Sequence, residues 1–275
     1  MTKVALVQLS VGNDPSANLG VTLQRLNEAA DNGAEFILTP EVTNCISSSR
    51  AHQTSVLEPQ ESDQTLKAIR AFTQQRGVWV LIGSLALETN DPDGRFANRS
   101  FLISNNGDVI AQYDKIHMFD VTLSETESYR ESAGYRPGDK AVVATTPFGN
   151  IGLSICYDVR FPHLYRDLAQ AGAQIITVPA AFARPTGEAH WDTLLRARAI
   201  ETGCYILAPA QCGEHDPDGA RKTYGHSMVV DPWGKVCVTL ASTPSICYHT
   251  LNLNLVEQAR ARVPSLIHDR PYLGP

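Results

Sequence analysis

The sequence has no Cys-x-x-Cys pair, no run of lysines and arginines, and no apolar stretch near the roughly 20 residues of a membrane span. Each absence excludes something. Six cysteines scattered through 275 residues give neither a zinc-ligand spacing nor the disulfide density of a small secreted domain, so no metal is expected and a reducing, cytoplasmic setting is. With 23 basic against 29 acidic residues the formal charge is −6, and no basic stripe offers a footprint for a nucleic-acid backbone or an anionic membrane. Also missing are G-x-G-x-x-G, the Walker-type G-x-x-x-x-G-K-[ST], the G-x-S-x-G elbow and H-E-x-x-H, which removes support for nucleotide-binding, serine-hydrolase and zincin chemistry. The amino terminus, MTKVALVQLS, has one basic residue and a strand-length apolar run, and reads as structure instead of a targeting segment.

What is present is an alternation of short β-branched runs with amphipathic stretches of helical period, the pattern of an α/β chain. Strands are expected at 4–9, 35–39, 78–85, 151–157, 174–178, 205–208 and 248–255. Helices are expected at 16–32, 62–76, 162–171 and 188–202, with a short one near Glu257. Segments 98–104 and 108–114 flank Asn105-Asn106-Gly107, whose glycine accepts positive φ, so a tight hairpin is expected there; a second turns at Asp231-Pro232-Trp233-Gly234. Residues 116–140 are polar and glycine-bearing, and a segment that long reads as an active-site loop. No linker or clear repeat interrupts the chain, so one domain over 1–275 is expected, built as layered sheets covered by helices.

Three reactive residues stand at the carboxyl ends of apolar runs: Glu41 after FILTP, Lys115 after VIAQYD and Cys156 within GLSICYD. In α/β sheets the crevice beyond such strand ends is where ligands bind. Each residue alone has an ordinary reading, as a small core hydrophobe (Cys156), a solvated strand end (Lys115) or a first-turn acid (Glu41). Together they could meet in one site.

The surrounding words are more specific. LTPEVTN, YDKIHMFDV, GNIGLSICYDVRFPHLYRDLAQAGAQIITVPAAF, AHWDTLLRARAIETGCYILAPAQCG and YGHSMVVDPWGKV, in that order, resemble the nitrilase superfamily of carbon–nitrogen hydrolases over essentially the whole chain. Within it the chain looks most like the branch of small amidases that includes deaminated glutathione amidases and ω-amidases. The resemblance implies a four-layer α-β-β-α sandwich and a Glu–Lys–Cys triad, with Glu41 as general base and acid, Lys115 as oxyanion stabiliser and Cys156 as nucleophile. It implies a second, orienting glutamate, which falls on Glu131, with Glu125 and Glu127 as weaker candidates. It also implies paired subunits, a homodimer or larger.

A free thiol is only a few per cent thiolate at neutral pH, and the Lys115 cation is expected to favour the thiolate. For the substrate side, Arg160 is the first candidate to hold a carboxylate through its guanidinium fork, against an ion pair with Asp158 or Glu201. Tyr157, Phe182 and Thr186 are expected to line the pocket, the last from a loop it shares with Gly187. Arg196, Arg198, His117, His190 and His226 read as structural. The expected activity is a thiol amidase needing no cofactor and acting on a small carboxylate-bearing amide. A catalytically silent binding member of the same fold is the competing reading, against which the intact Glu41, Lys115 and Cys156 stand.

Overall fold

The computed structural model describes residues 1–125, 127–215 and 221–274. In chain order the elements are β1 (Thr2–Gln8), α1 (Pro15–Asp31), β2 (Phe36–Leu38), α2 (Arg50–Val56), α3 (Gln64–Arg76), β3 (Trp79–Leu87), β4 (Ala97–Ile103), β5 (Val109–Asp114), β6 (Asp120–Thr122), β7 (Ser128–Arg130), β8 (Val142–Thr146), β9 (Gly149–Leu153), α4 (Pro162–Gln170), β10 (Ile175–Thr177), α5 (Arg184–Thr202), β11 (Tyr205–Ala208), β12 (Cys212–Glu214), β13 (Lys222–Tyr224), β14 (Met228–Val230), β15 (Val236–Thr239), β16 (Ser245–Leu251) and α6 (Asn254–Arg262).

Two six-stranded sheets share one plan. The first runs β16-β1-β2-β3-β4-β5 and the second β15-β14-β11-β10-β9-β8. In each, three central strands are parallel, β1-β2-β3 and β9-β10-β11, and the outer strands pair antiparallel. Parallel neighbours require crossovers, which α1 and α3 supply to one sheet and α4 and α5 to the other.

Alternation along the strands decides the layering. Val4, Leu6, Phe36, Leu38, Leu81 and Leu102 face the second sheet in a core that also holds Ile151, Leu153, Ile175 and Leu207. Their sequence neighbours Ala5, Val7, Ile37, Val80, Ile82, Phe101 and Ile103 pack instead on Leu26, Leu66, Ile69 and Phe72 of α1 and α3. Period-two side chains that are apolar on both faces need a cover on both faces. The result is the four-layer α-β-β-α sandwich that the resemblance implied.

The helices end where local chemistry stops them. Asp14 accepts from the N–H groups of Ser16 and Ala17 to start α1, and Gly77, at φ +66°, closes α3 in the left-handed conformation. The expected elements recur with ends moved by a few residues, and four differences matter. The β9 strand stops at Leu153, not Tyr157. Helix α5 starts at Arg184, so Thr186 and Gly187 lie in its first turn and not in a loop. The expected loop 116–140 folds into the β6–β7 hairpin and a 3-10 turn, Glu131–Ala133; Thr126 lies outside the described residues. Helix α2 and strands β8, β12 and β13 were not expected at all. Among the described residues no helix is long and apolar enough to cross a membrane.

Candidate active site

Glu41 follows β2, Lys115 follows β5 and Cys156 follows β9, so the carboxyl ends of both sheets contribute to one place. The sheets approach closely there. A Cβ on Gly83 of β3 would lie 2.1 Å from the carbonyl oxygen of Thr39, 2.4 Å from that of Pro40 and 2.5 Å from Cβ of Pro179, so only glycine lets the ends of β2 and β10 come together. Val42, just past Glu41, has φ +48°, an unusual conformation for a β-branched residue. Ser84 holds that kink: its Oγ accepts from Val42 N–H at 2.7 Å and its carbonyl from Thr43 N–H at 2.8 Å.

Cys156 also has φ +48°, at the first position of a 3-10 turn, Cys156–Arg160. Strain of that kind persists only where the surroundings over-determine it. Here Asp158, fully buried, accepts from Ile155 N–H at 2.8 Å, from the Tyr113 hydroxyl at 2.7 Å and from His117 N–H at 3.1 Å, with His117 Nδ1 at 2.7 Å. Cys156 N–H donates to the Pro179 carbonyl at 2.9 Å, and buried Arg198 donates to the Val159 carbonyl at 2.8 Å while pairing with Glu201. Asp158 is thus the anchor of the cysteine turn and not the partner of Arg160.

The polar cluster is dense. Lys115 Nζ lies 2.8 Å from Glu41 Oε1 and 2.9 and 2.8 Å from the two oxygens of Glu131. Asn98 Nδ2 donates to Glu41 Oε1 at 2.9 Å and to Glu131 Oε1 at 3.3 Å, leaving its buried Oδ1 without a partner. Ala181 N–H donates to Glu41 Oε2 at 2.7 Å, and Phe119 N–H to Glu131 Oε2 at 2.6 Å. Glu131 is thus the loop carboxylate that joins Glu41 on Lys115, whereas Glu127 is taken by the Tyr129 hydroxyl. Sequence reading missed Asn98, Phe119 and Ala181. Two of them act through backbone N–H groups, which carry no side-chain signature.

Two carboxylates against one ammonium leave this buried cluster with a net negative charge, which adds to the effect of burial on the thiol. Burial pushes the Cys156 thiol up and Glu41, which its Sγ–H meets, pushes it further; Lys115 opposes them and loses, so the thiol sits well above its ordinary range. The expected pull of Lys115 toward the thiolate is present, but burial and Glu41 outweigh it. Burial raises Glu41 too, but Lys115 outweighs it and holds the carboxyl below its usual range. Lys115, disfavoured by burial, is held well above its ordinary value by Glu131 and Glu41.

Above the cluster opens a cavity of about 530 Å³ whose aromatic wall includes Phe119, Tyr129, Tyr135, Tyr157 and Phe182. Thr186 lines it as expected. Arg160 does not: its guanidinium lies 3.3 Å from His190 Nδ1 and over the rings of Phe182 and Tyr157 at 5.3 and 5.8 Å. The guanidiniums on the lining are those of Arg50, Arg130 and Arg221. With Lys115 they outnumber Glu41 and Glu131 by two charges, so the cavity as a whole is positive although its floor is negative. Among the described residues no group of three or more His, Cys, Asp or Glu side chains is arranged to hold a metal ion.

The carbon-nitrogen hydrolase family model matches residues 3–261. A deaminated glutathione amidase of Yersinia enterocolitica is 39% identical over 269 residues, which cover 97% of this chain and 92% of that one. Among solved structures, the NitFhit protein of C. elegans superposes with a TM-score of 0.90 at 33% identity, covering 98% of this chain and 65% of that longer fusion protein. An amidase from Nesterenkonia sp. AN1, solved as a glutamate-to-glutamine variant with acrylamide added to its active-site cysteine, superposes with a TM-score of 0.78 at 25% identity and covers 96% of this chain and 98% of that one.

Proposed function

The chain belongs to the carbon-nitrogen hydrolase family and hydrolyses amides, and from that premise we propose that it is a thiol amidase acting through a Cys156 thioester on a small carboxylate-bearing amide. The observation that carries this reading is the convergence of Cys156, Glu41, Lys115 and Glu131 at the floor of a cavity with an excess of positive charge.

In this mechanism Glu41 takes the thiol proton as the sulfur–carbon bond forms. The step is concerted because neither a thiol held high nor a carboxylate held low transfers that proton readily on its own. Lys115 and the N–H of Tyr157 receive the oxyanion; one such donor is worth about 2.7–4 kcal/mol. Glu41 returns the proton to the leaving nitrogen as the carbon–nitrogen bond breaks, giving a thioester and a free amine. It then takes a proton from water as the hydroxide adds, and passes it to sulfur as the acid departs. Glu131 and Asn98 hold Lys115 and Glu41 in register throughout.

Deaminated glutathione leads as substrate, after the relatives that bear that name; α-ketoglutaramate is the alternative. The first releases a peptide amine and the second ammonia, so assays for cysteinylglycine and for ammonia separate them. Cys156→Ala is expected to lose about 10⁵-fold or more in turnover, together with any acyl adduct seen by intact-protein mass spectrometry. Normal turnover in that variant would sink the scheme. The same reading takes 1–275 as one catalytic domain, supported by the core that both sheets share. It takes the compartment as cytoplasmic, supported by six cysteines none of which forms a disulfide among the described residues. It also has copies of the chain pair, supported by exposed Ile200 on α5 beside Gly234 and exposed Trp233.

A further inference from the structure

Arg221 enters the cavity wall just before β13, far along the chain from the groups on the floor. Its Nη2 donates to the Ala181 carbonyl at 2.7 Å, and the N–H of that same residue holds Glu41. Its guanidinium lies 4.6 Å from the centre of the Tyr129 ring, which packs at 5.2 Å on Phe119, whose N–H holds Glu131. Arg221 therefore touches the supports of both carboxylates. Yet its Nη1 is buried without a hydrogen-bond partner, and among the described residues no carboxylate oxygen lies within 4.0 Å of the guanidinium.

The other two cavity arginines differ. Arg50 gives one terminal nitrogen to the Gly134 carbonyl and the other to that of Gly94, and stacks on Phe96 at 3.8 Å. Arg130 donates to the Tyr129 carbonyl at 3.2 Å and is exposed, so its charge is screened by water. Glu127 and Tyr129 face Arg221 from the β6–β7 hairpin; the Tyr129 hydroxyl donates to Glu127 and also meets the guanidinium, which still leaves Nη1 without a partner. A buried donor left unpaired destabilises a resting protein, a cost that an incoming acceptor removes.

We propose that Arg221 is the specificity-determining residue of this site: its uncommitted guanidinium edge receives the substrate carboxylate and so sets the amide carbonyl over Cys156. The inference rests on the amidase reading and names the residue that selects its substrate class. A guanidinium suits the role because its planar fork matches the two oxygens of a carboxylate. That carboxylate belongs either to the acyl part of the substrate or to its leaving amine.

The test compares kcat/KM for glutaramate, with an acyl-side carboxylate, N-butyrylglycine, with one on the leaving side, and neutral butyramide. Wild type is expected to prefer one of the two anions. In Arg221→Gln that preference falls about 30-fold or more, mainly through KM. Arg221→Lys, with charge but no fork, recovers part of it and serves alone should the first variant not fold. The anion whose advantage falls identifies the docked part. A preference that survives Arg221→Gln, with all three amides falling in step or none falling, overturns the proposal; so does a wild type without preference. Calorimetric titration with glutarate separates the two readings. Binding that weakens in Arg221→Gln upholds the inference even where amide turnover fails, and binding that is indifferent to the change overturns it.

Discussion

At the floor of the cavity each of the four carboxylate oxygens of Glu41 and Glu131 has a donor within 3.3 Å, whereas at the rim the guanidinium of Arg221 keeps a nitrogen that touches no acceptor. The floor is charged and largely buried and its carboxylates are saturated, with only Asn98 Oδ1 lacking a donor, so its geometry is fixed before substrate arrives. The rim is charged, partly wet and unsaturated, which leaves it something to offer a ligand. Bond breaking requires the first kind of region, since donors that must turn to meet a developing charge give back part of what they stabilise. Selection among substrates requires the second.

The largest effect expected from breaking this contrast is at Lys115. Its replacement by Met leaves two buried carboxylates facing each other, and loss of one partner of a buried ion pair costs about 3–5 kcal/mol. Urea unfolding should therefore show a much lower midpoint at an unchanged slope, with turnover lost in parallel. A stability equal to wild type would mean that the floor is not the rigid part.

Next in size is a pH effect. Because Glu41 is held below its ordinary range when folded, the stability it contributes is complete above the ordinary glutamate pKa of about 4.3, and is lost as the pH falls from there through the folded-state value. The stability gap between wild type and Glu41→Gln should accordingly be constant through neutral pH and narrow in acid. A gap that widens in acid would reverse the assigned direction. Smallest is the rim: Arg130→Gln, an exposed change, is expected to shift stability by no more than about 0.5 kcal/mol. Thermal melts check this, and a loss as large as that of the Lys115 variant would erase the distinction between floor and rim.

Much of the scaffold was legible because its signals are local. Apolar periodicity located α1, α3, α4 and the central strands, and Gly77 and the Asn105-Asn106-Gly107 turn marked their own boundaries. The short strands β12 and β13 and the β6–β7 hairpin were not, since three residues carry no periodicity and their pairing depends on partners elsewhere in the chain. The start of α5 was misread for a related reason: Arg184-Pro185-Thr186-Gly187 looks like a loop, but proline is well placed in a first helical turn.

The identity of the reactive groups belongs to the sequence: Glu41, Lys115 and Cys156 each follow an apolar strand, and the words around them carry the family resemblance. What those groups are at rest belongs to the tertiary structure. Which form of Cys156 is favoured depends first on its burial and then on the charges that two sheets bring together, among which Glu41 outweighs Lys115. Which arginine lines the cavity was likewise decided by packing. Arg160 stands four residues from the cysteine, yet the turn that exposes Cys156 carries its guanidinium away to His190, while Arg221, 65 positions along the chain, is brought to the wall by the backbone of Ala181. A long side chain is aimed by the surfaces it packs on, and its distance along the sequence says little about where its charge arrives.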